Sequence, residues 1–166
     1  HGIALPDHLT FGIYLGDPQA LAHSEGYTGF GGIPGYIQMI ISPTPDNLKK
    51  LPAAVCHEFH HNCMFLLKPF NFMTVSLKEY ILYEGLAENF AEEICGENMI
   101  GPWVTNVSDR DLELSKCLIE PVLNIQGFQT VTPYLFGGQS VLDSEGNSIV
   151  MPATGGYAVG YHIVKA

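Results

Sequence analysis

Residues 48–67, LKKLPAAVCHEFHHNCMFLL, decide how the chain folds and what it can hold. Leu51, Val55, Phe59 and Cys63 recur at every fourth position, the spacing that lines one face of an α-helix. Lys68-Pro69 ends the pattern and Pro43-Thr44-Pro45-Asp46 precedes it. Pro52 is expected in the first turn of the main helix, where a missing backbone donor costs nothing. Within this apolar helix sits His57-Glu58-Phe59-His60-His61. Residues i and i+4 lie about 40° apart around a helix axis, so His57 and His61 point the same way and can share one cation. Glu58 is rotated by about 100° from His57, beside such a cation without ligating it, where a carboxylate can deprotonate a metal-bound water. His60 lies about 60° the other way and is read as second-layer support or packing. The competing reading is an ordinary solvated face. The apolar flanks weaken it, because buried histidines need partners and a metal supplies one.

A catalytic zinc site takes three protein ligands and keeps a fourth position open. Positions 83–88, YEGLAE, place Glu84 and Glu88 at i and i+4 on a second helix. Ser76 and Glu79 open that helix as an S-x-x-E capping box, and Gly96 closes it. The 22 residues at positions 62–83 suffice for a turn and a return pass. Glu84 is then the natural third ligand, and Glu88 can accept a hydrogen bond from the ring N–H of a ligand histidine. Glu79, Glu92, Glu93 and Glu97 surround the pair, so a solvated acidic face is the alternative. Cys56 and Cys63 flank the motif, but a thiolate ligand would give a closed, structural site.

Around these helices the chain alternates between strand and helix signals. Residues 9–15 read as a strand closed by Gly16-Asp17-Pro18. Residues 26–35, GYTGFGGIPG, carry five glycines and are expected as a loop or bulged turn; close approach of another backbone and a plain hairpin loop are equally consistent with them. Residues 36–42 read as a two-faced strand, with Tyr36, Gln38 and Ile40 on one side and Ile37, Met39 and Ile41 on the other. This strand is expected to be the sheet edge on which an extended peptide adds, so Tyr36, Gln38 and Ile40 are candidate substrate contacts. A third helix should start at Ser108 and run to about Asn124, bent or shortened by Pro121, with a hairpin around Glu145-Gly146-Asn147 after it. The helix from Gly156 carries Tyr157 and Tyr161 at i and i+4. Either could donate to an oxyanion; aromatic packing is the competing reading. The fold class is α+β: a small N-terminal β-sheet with an edge strand over the HExxH helix, then a mainly helical C-terminal part.

The 166 residues are 46% hydrophobic and 14% charged, enough apolar content for one globular domain over 1–166 without disulfide or metal staples. Seven Lys and Arg against seventeen Asp and Glu give a net charge of −10, which excludes nucleic acid as a partner because no basic stripe can be assembled. No run of eighteen apolar residues could span a membrane. Cys56, Cys63, Cys95 and Cys117 read as reduced, buried thiols, and on that usage the expected location is cytoplasmic. His1, His8 and His23 have no partner spacing and are expected to be exposed. The chain opens without Met and stops inside a helical pattern, so a missing N-terminus and a truncated C-terminus are expected.

HEFHH, YEGLAE and GYAVGYHIV (residues 156–164), in this order, resemble the YjaZ-type family of predicted zinc-dependent proteases, a gluzincin-like group. The likeness covers roughly residues 26 to 164. It implies a zincin-like fold, one Zn2+ held by His57, His61 and Glu84, Glu58 as general base, and a domain that continues past Ala166. The resulting expectation is a zinc-dependent peptidase acting on a peptide or protein substrate through a metal-bound water. A non-catalytic zinc- or peptide-binding domain of the same shape is the alternative from another class, and hydrolysis of a non-peptide amide is a third.

Overall fold

Three segments with strand patterning come together at the start of the chain: β1 (Thr10–Leu15), β2 (Tyr27–Ile33) and β3 (Tyr36–Ile41). They form one mixed sheet in the order β1-β3-β2 in the computed structural model, which describes residues 5–166 apart from the His23 side chain. His1 and the ring of His23 thus lie outside the described residues, while His8 is exposed as expected. β3 buries Ile37, Met39 and Ile41 and leaves Tyr36, Gln38 and Ile40 only partly covered, the two faces that its alternation demands.

The strand expected at the edge is the central one. β3 pairs in parallel with β1, from Thr10↔Tyr36 to Leu15↔Ile41, and antiparallel with β2, from Tyr27↔Ile41 onward. Both its backbone edges are used, so Tyr36, Gln38 and Ile40 do not border an edge open to a peptide. Local alternation carries no information about such a parallel, long-range partner. The edge strand that crosses the HExxH helix is β2. Its glycine-rich stretch, expected as a loop, is a strand as far as Ile33, with a register shift between Phe30 and Ile33.

The following helix, α1 (Pro45–Leu67), begins earlier than the sequence suggested. The Thr44 hydroxyl accepts from the Asn47 N–H at 3.1 Å, and Pro45 occupies the first turn. Pro52 therefore lies inside the helix, on its exposed side, where water can satisfy the carbonyl it leaves unbonded. α2 (Leu77–Cys95) starts behind the expected capping box: the Ser76 backbone N–H and hydroxyl donate to Glu79 Oε2 at 3.0 and 2.7 Å. Gly96, at φ +93°, ends it in a backbone conformation that side chains disfavour.

The chain forms two compact units. The first takes the segment up to Phe70 with Ala87–Pro102, and buries Ile37, Met39 and Ile41 together with Ala53, Ala54, Phe65 and Ala91. The second takes Asn71–Leu86 with Trp103–Ala166. It holds α4 (Asp109–Ile119), α5 (Phe128–Phe136), the hairpin β4 (Ser140–Leu142) and β5 (Ser148–Val150), and α6 (Gly155–Lys165); the short α3 (Pro102–Thr105) precedes them. Leu118, Val131, Leu135, Met151, Ala158 and Val159 are its core. α4 is capped by Ser108 as expected but stops at Ile119, short of the expected Asn124, with Pro121 in the separate turn that follows. α5 was not anticipated, because it opens on an uncapped Gly127 and contains Pro133. Among the described residues, no helix is long and apolar enough to cross a membrane. The architecture is the expected α+β arrangement of a small sheet, an HExxH helix and a mainly helical remainder.

Candidate metal centre

α1 presents His57 and His61 one turn apart, and their Nε2 atoms lie 3.1 Å from each other. Two imidazole ligands of a tetrahedral zinc, each at about 2.0–2.1 Å, would sit about 3.3–3.4 Å apart, so the pair already has the spacing of shared coordination. Glu84 on α2 supplies an oxygen, and the three donor atoms lie within 4.8 Å of one another. All three residues are buried, none more than 6% exposed. Two imidazole nitrogens and a carboxylate oxygen are a donor set suited to zinc, and three protein ligands leave a position open. The residues fit the ion that the motif implies.

Glu88 makes the arrangement directional. The His57 Nδ1–H donates to Glu88 Oε2 at 2.9 Å, and the other carboxylate oxygen accepts from the Gly101 N–H at 2.6 Å. With its proton held on Nδ1, His57 keeps the Nε2 lone pair aimed at His61 and the cluster. Glu88 is itself only 2% exposed, so the pair is sheltered from competing water. The charge of Glu88 is also felt by Tyr27 on β2. Burial first, then the Glu88 and Glu25 carboxylates, hold the Tyr27 phenol well above its ordinary pKa and keep it neutral.

Glu58 lies under the glycines of β2. A Cβ at Gly29 would collide with the Glu58 carboxylate, approaching its Cδ to 2.7 Å, and one at Gly31 would strike the Glu58 backbone carbonyl. Of the two readings open for the glycine-rich segment, the close approach of another backbone is the one found: α1 passes too near β2 for side chains at these positions. His61 stacks on Phe65, with ring centroids 5.5 Å apart. His60 is half-buried and tilts against Phe90 at 5.6 Å, a packing position.

The remaining candidates fall elsewhere. Tyr36, Gln38 and Ile40 occupy the face of β3 opposite its buried side chains, where the Tyr36 hydroxyl donates to Gln38 Oε1 at 3.3 Å. Tyr157 packs beside the rings of Trp103 and Phe136, at 6.4 and 5.8 Å. Tyr161 is buried one residue beyond Gly160, whose backbone meets that of Gly85, the neighbour of Glu84, with no room for a Cβ on either glycine. None of the four cysteines is disulfide-bonded, and of the buried thiols expected only Cys63 is buried: Cys56 and Cys95 are half-buried and Cys117 is exposed. Cys56 Sγ lies 3.8 Å from Cys95 Sγ, and burial together with that neighbour pushes the Cys56 thiol up to about 11. Asn62, Gly101 and Tyr27 were not singled out from the sequence. Only Asn62, a polar residue opening the apolar run NCMFLL directly after the motif, carried a local signal.

Residues 3–166 match the family described as "Predicted Zn-dependent protease (DUF2268)". The chain is 43% identical over 158 residues to the uncharacterized protein YjfC of Bacillus subtilis (strain 168), covering 95% of this chain and 53% of that protein. It is 31% identical over 114 residues to the uncharacterized protein YjaZ of the same organism, covering 68% of this chain and 40% of that protein. The chain therefore spans about half the length of the curated relatives it matches. No solved structure matches it significantly.

Proposed function

This chain belongs to the family of predicted Zn-dependent proteases, and we propose that it hydrolyses peptide bonds with one zinc ion held by His57, His61 and Glu84. The observation that carries this is the convergence of three buried donors, one of them oriented by a buried carboxylate at 2.9 Å. Bound there, zinc supplies Lewis-acid polarisation of the scissile carbonyl and lowers the pKa of a coordinated water to about 7.

The chain's own groups do the rest. Glu58, one residue from His57, takes the proton of the attacking water and returns it to the leaving amine. Glu88 keeps His57 in the ligating tautomer through the reaction. Tyr161, brought beside Glu84's helix by the Gly85 and Gly160 crossing, is the candidate donor to the oxyanion, ahead of Tyr157 among its aromatic neighbours. The outer edge of β2, paired on one side only among the described residues, replaces β3 as the place where an extended peptide adds.

The test is cleavage of an unbiased peptide library by zinc-loaded full-length protein, with loss on chelation and recovery on adding back one equivalent of zinc. Stoichiometric zinc without cleavage would select the non-catalytic binding domain instead.

A further inference from the structure

Asn62 follows His61 directly, is completely buried, and turns its amide toward the sheet. Its Nδ2 donates to the carbonyls of Gly31, Tyr36 and Ile33 at 2.8, 2.9 and 3.1 Å, and its Oδ1 accepts from the Gly35 N–H at 2.5 Å. Two N–H bonds serve three carbonyls, so one is shared. These partners belong to the end of β2 and its turn into β3, where the pairing register slips between Phe30 and Ile33 and the regular ladder is interrupted. One side chain thus takes over hydrogen bonds at the bulge that a continuous ladder would supply.

Asn62 lies at i+4 from Glu58, on the same face of α1. Gly29 lies just upstream of the Asn62-bound bulge and Gly31 within it, and a Cβ on either would meet the Glu58 side chain or carbonyl. We propose that Asn62 is the positioning residue of the site: it latches the bulged end of β2 to α1 and so holds Gly29 against the Glu58 carboxylate, limiting the rotamers open to it. The catalytic consequence rests on Glu58 acting as the base; the latch itself does not.

The experiment is hydrogen exchange on the full-length protein, zinc-loaded, in wild type, Asn62→Asp and Gly29→Ala. Asn62→Asp is isosteric but turns an acceptor toward three carbonyls. In it, amides of residues 31–36 should exchange at least tenfold faster while the β4–β5 hairpin is unchanged and one zinc per chain is retained. Wild-type exchange at residues 31–36, or an equal rise throughout the chain, would overturn the latch. Should that variant fail to fold, the Asn62 side-chain amide protons of the wild type decide it, slow exchange being expected and exchange at the solvent rate refuting. Gly29→Ala should keep the protected hairpin and the zinc while kcat falls at least tenfold at little changed KM, and wild-type kcat would refute the hold on Glu58. A wild type without peptidase activity would defeat the proposed reaction while leaving the exchange result to decide the latch.

Discussion

Glu88→Gln isolates what a single buried carboxylate does for the candidate metal centre. Glu88 accepts hydrogen bonds from the His57 Nδ1–H at 2.9 Å and the Gly101 N–H at 2.6 Å. Glutamine keeps the shape but offers one acceptor and one donor. If its oxygen serves Gly101, its NH2 faces His57, the imidazole proton must move to Nε2, and the lone pair aimed at the cation is gone. If the amide is reversed, a donor faces the Gly101 N–H, and a buried unpaired group costs about 1–3 kcal/mol. Loss of a partner of this kind usually costs ten- to a hundredfold in metal affinity, about 1.4–2.7 kcal/mol. The assay is competition for zinc against a chromophoric chelator at pH 7, with circular dichroism to verify the fold. A folded Glu88→Gln protein that binds zinc within twofold of wild type would refute the orienting role.

Tyr27 contributes a pH dependence of definite sign. Its folded pKa is raised above the ordinary value of about 10, so the stability it adds is complete below that pH and is lost as pH rises beyond it. Thermal melts above about pH 10 should therefore fall more steeply for wild type than for Tyr27→Phe, and parallel curves would contradict this. At the helix crossing, Gly160→Ala would drive a methyl into the Ile81 carbonyl, and a loss of about 1–3 kcal/mol is expected in urea unfolding. An unchanged midpoint would show that the two helices can part without cost. Among the thiols, exposed Cys117 should be alkylated first near pH 7, with buried Cys63 and the suppressed Cys56 last. Peptide mapping reads the order directly, and early labelling of Cys56 would be inconsistent with its burial.

The parts legible in the sequence are those set by short-range chemistry. The HExxH spacing, the Ser76–Glu79 box, the stop at Gly96 and the Ser108 cap each follow from local helix geometry, and each is where it was expected. Glu84 and Glu88 could be paired with the histidines because i and i+4 on one helix fix both at once. The order of the strands was not legible. β3 sits in the centre because β1 runs parallel to it, each register partner lying 26 residues away in sequence. β2 escaped notice because glycine is rare in strands, and its glycines answer to Glu58 on another element, not to their own neighbours. The four-bond role of Asn62 is likewise long-range, reaching from α1 to residues 31–36.

The most direct measurement is on Glu58→Gln, comparing zinc by elemental analysis with turnover of a cleaved library peptide. The variant keeps all three donors of the cluster and alters only the proposed base. One zinc per chain with kcat reduced by about 10²–10⁴-fold is the expected result. Turnover at the wild-type rate with the zinc in place would contradict the central claim.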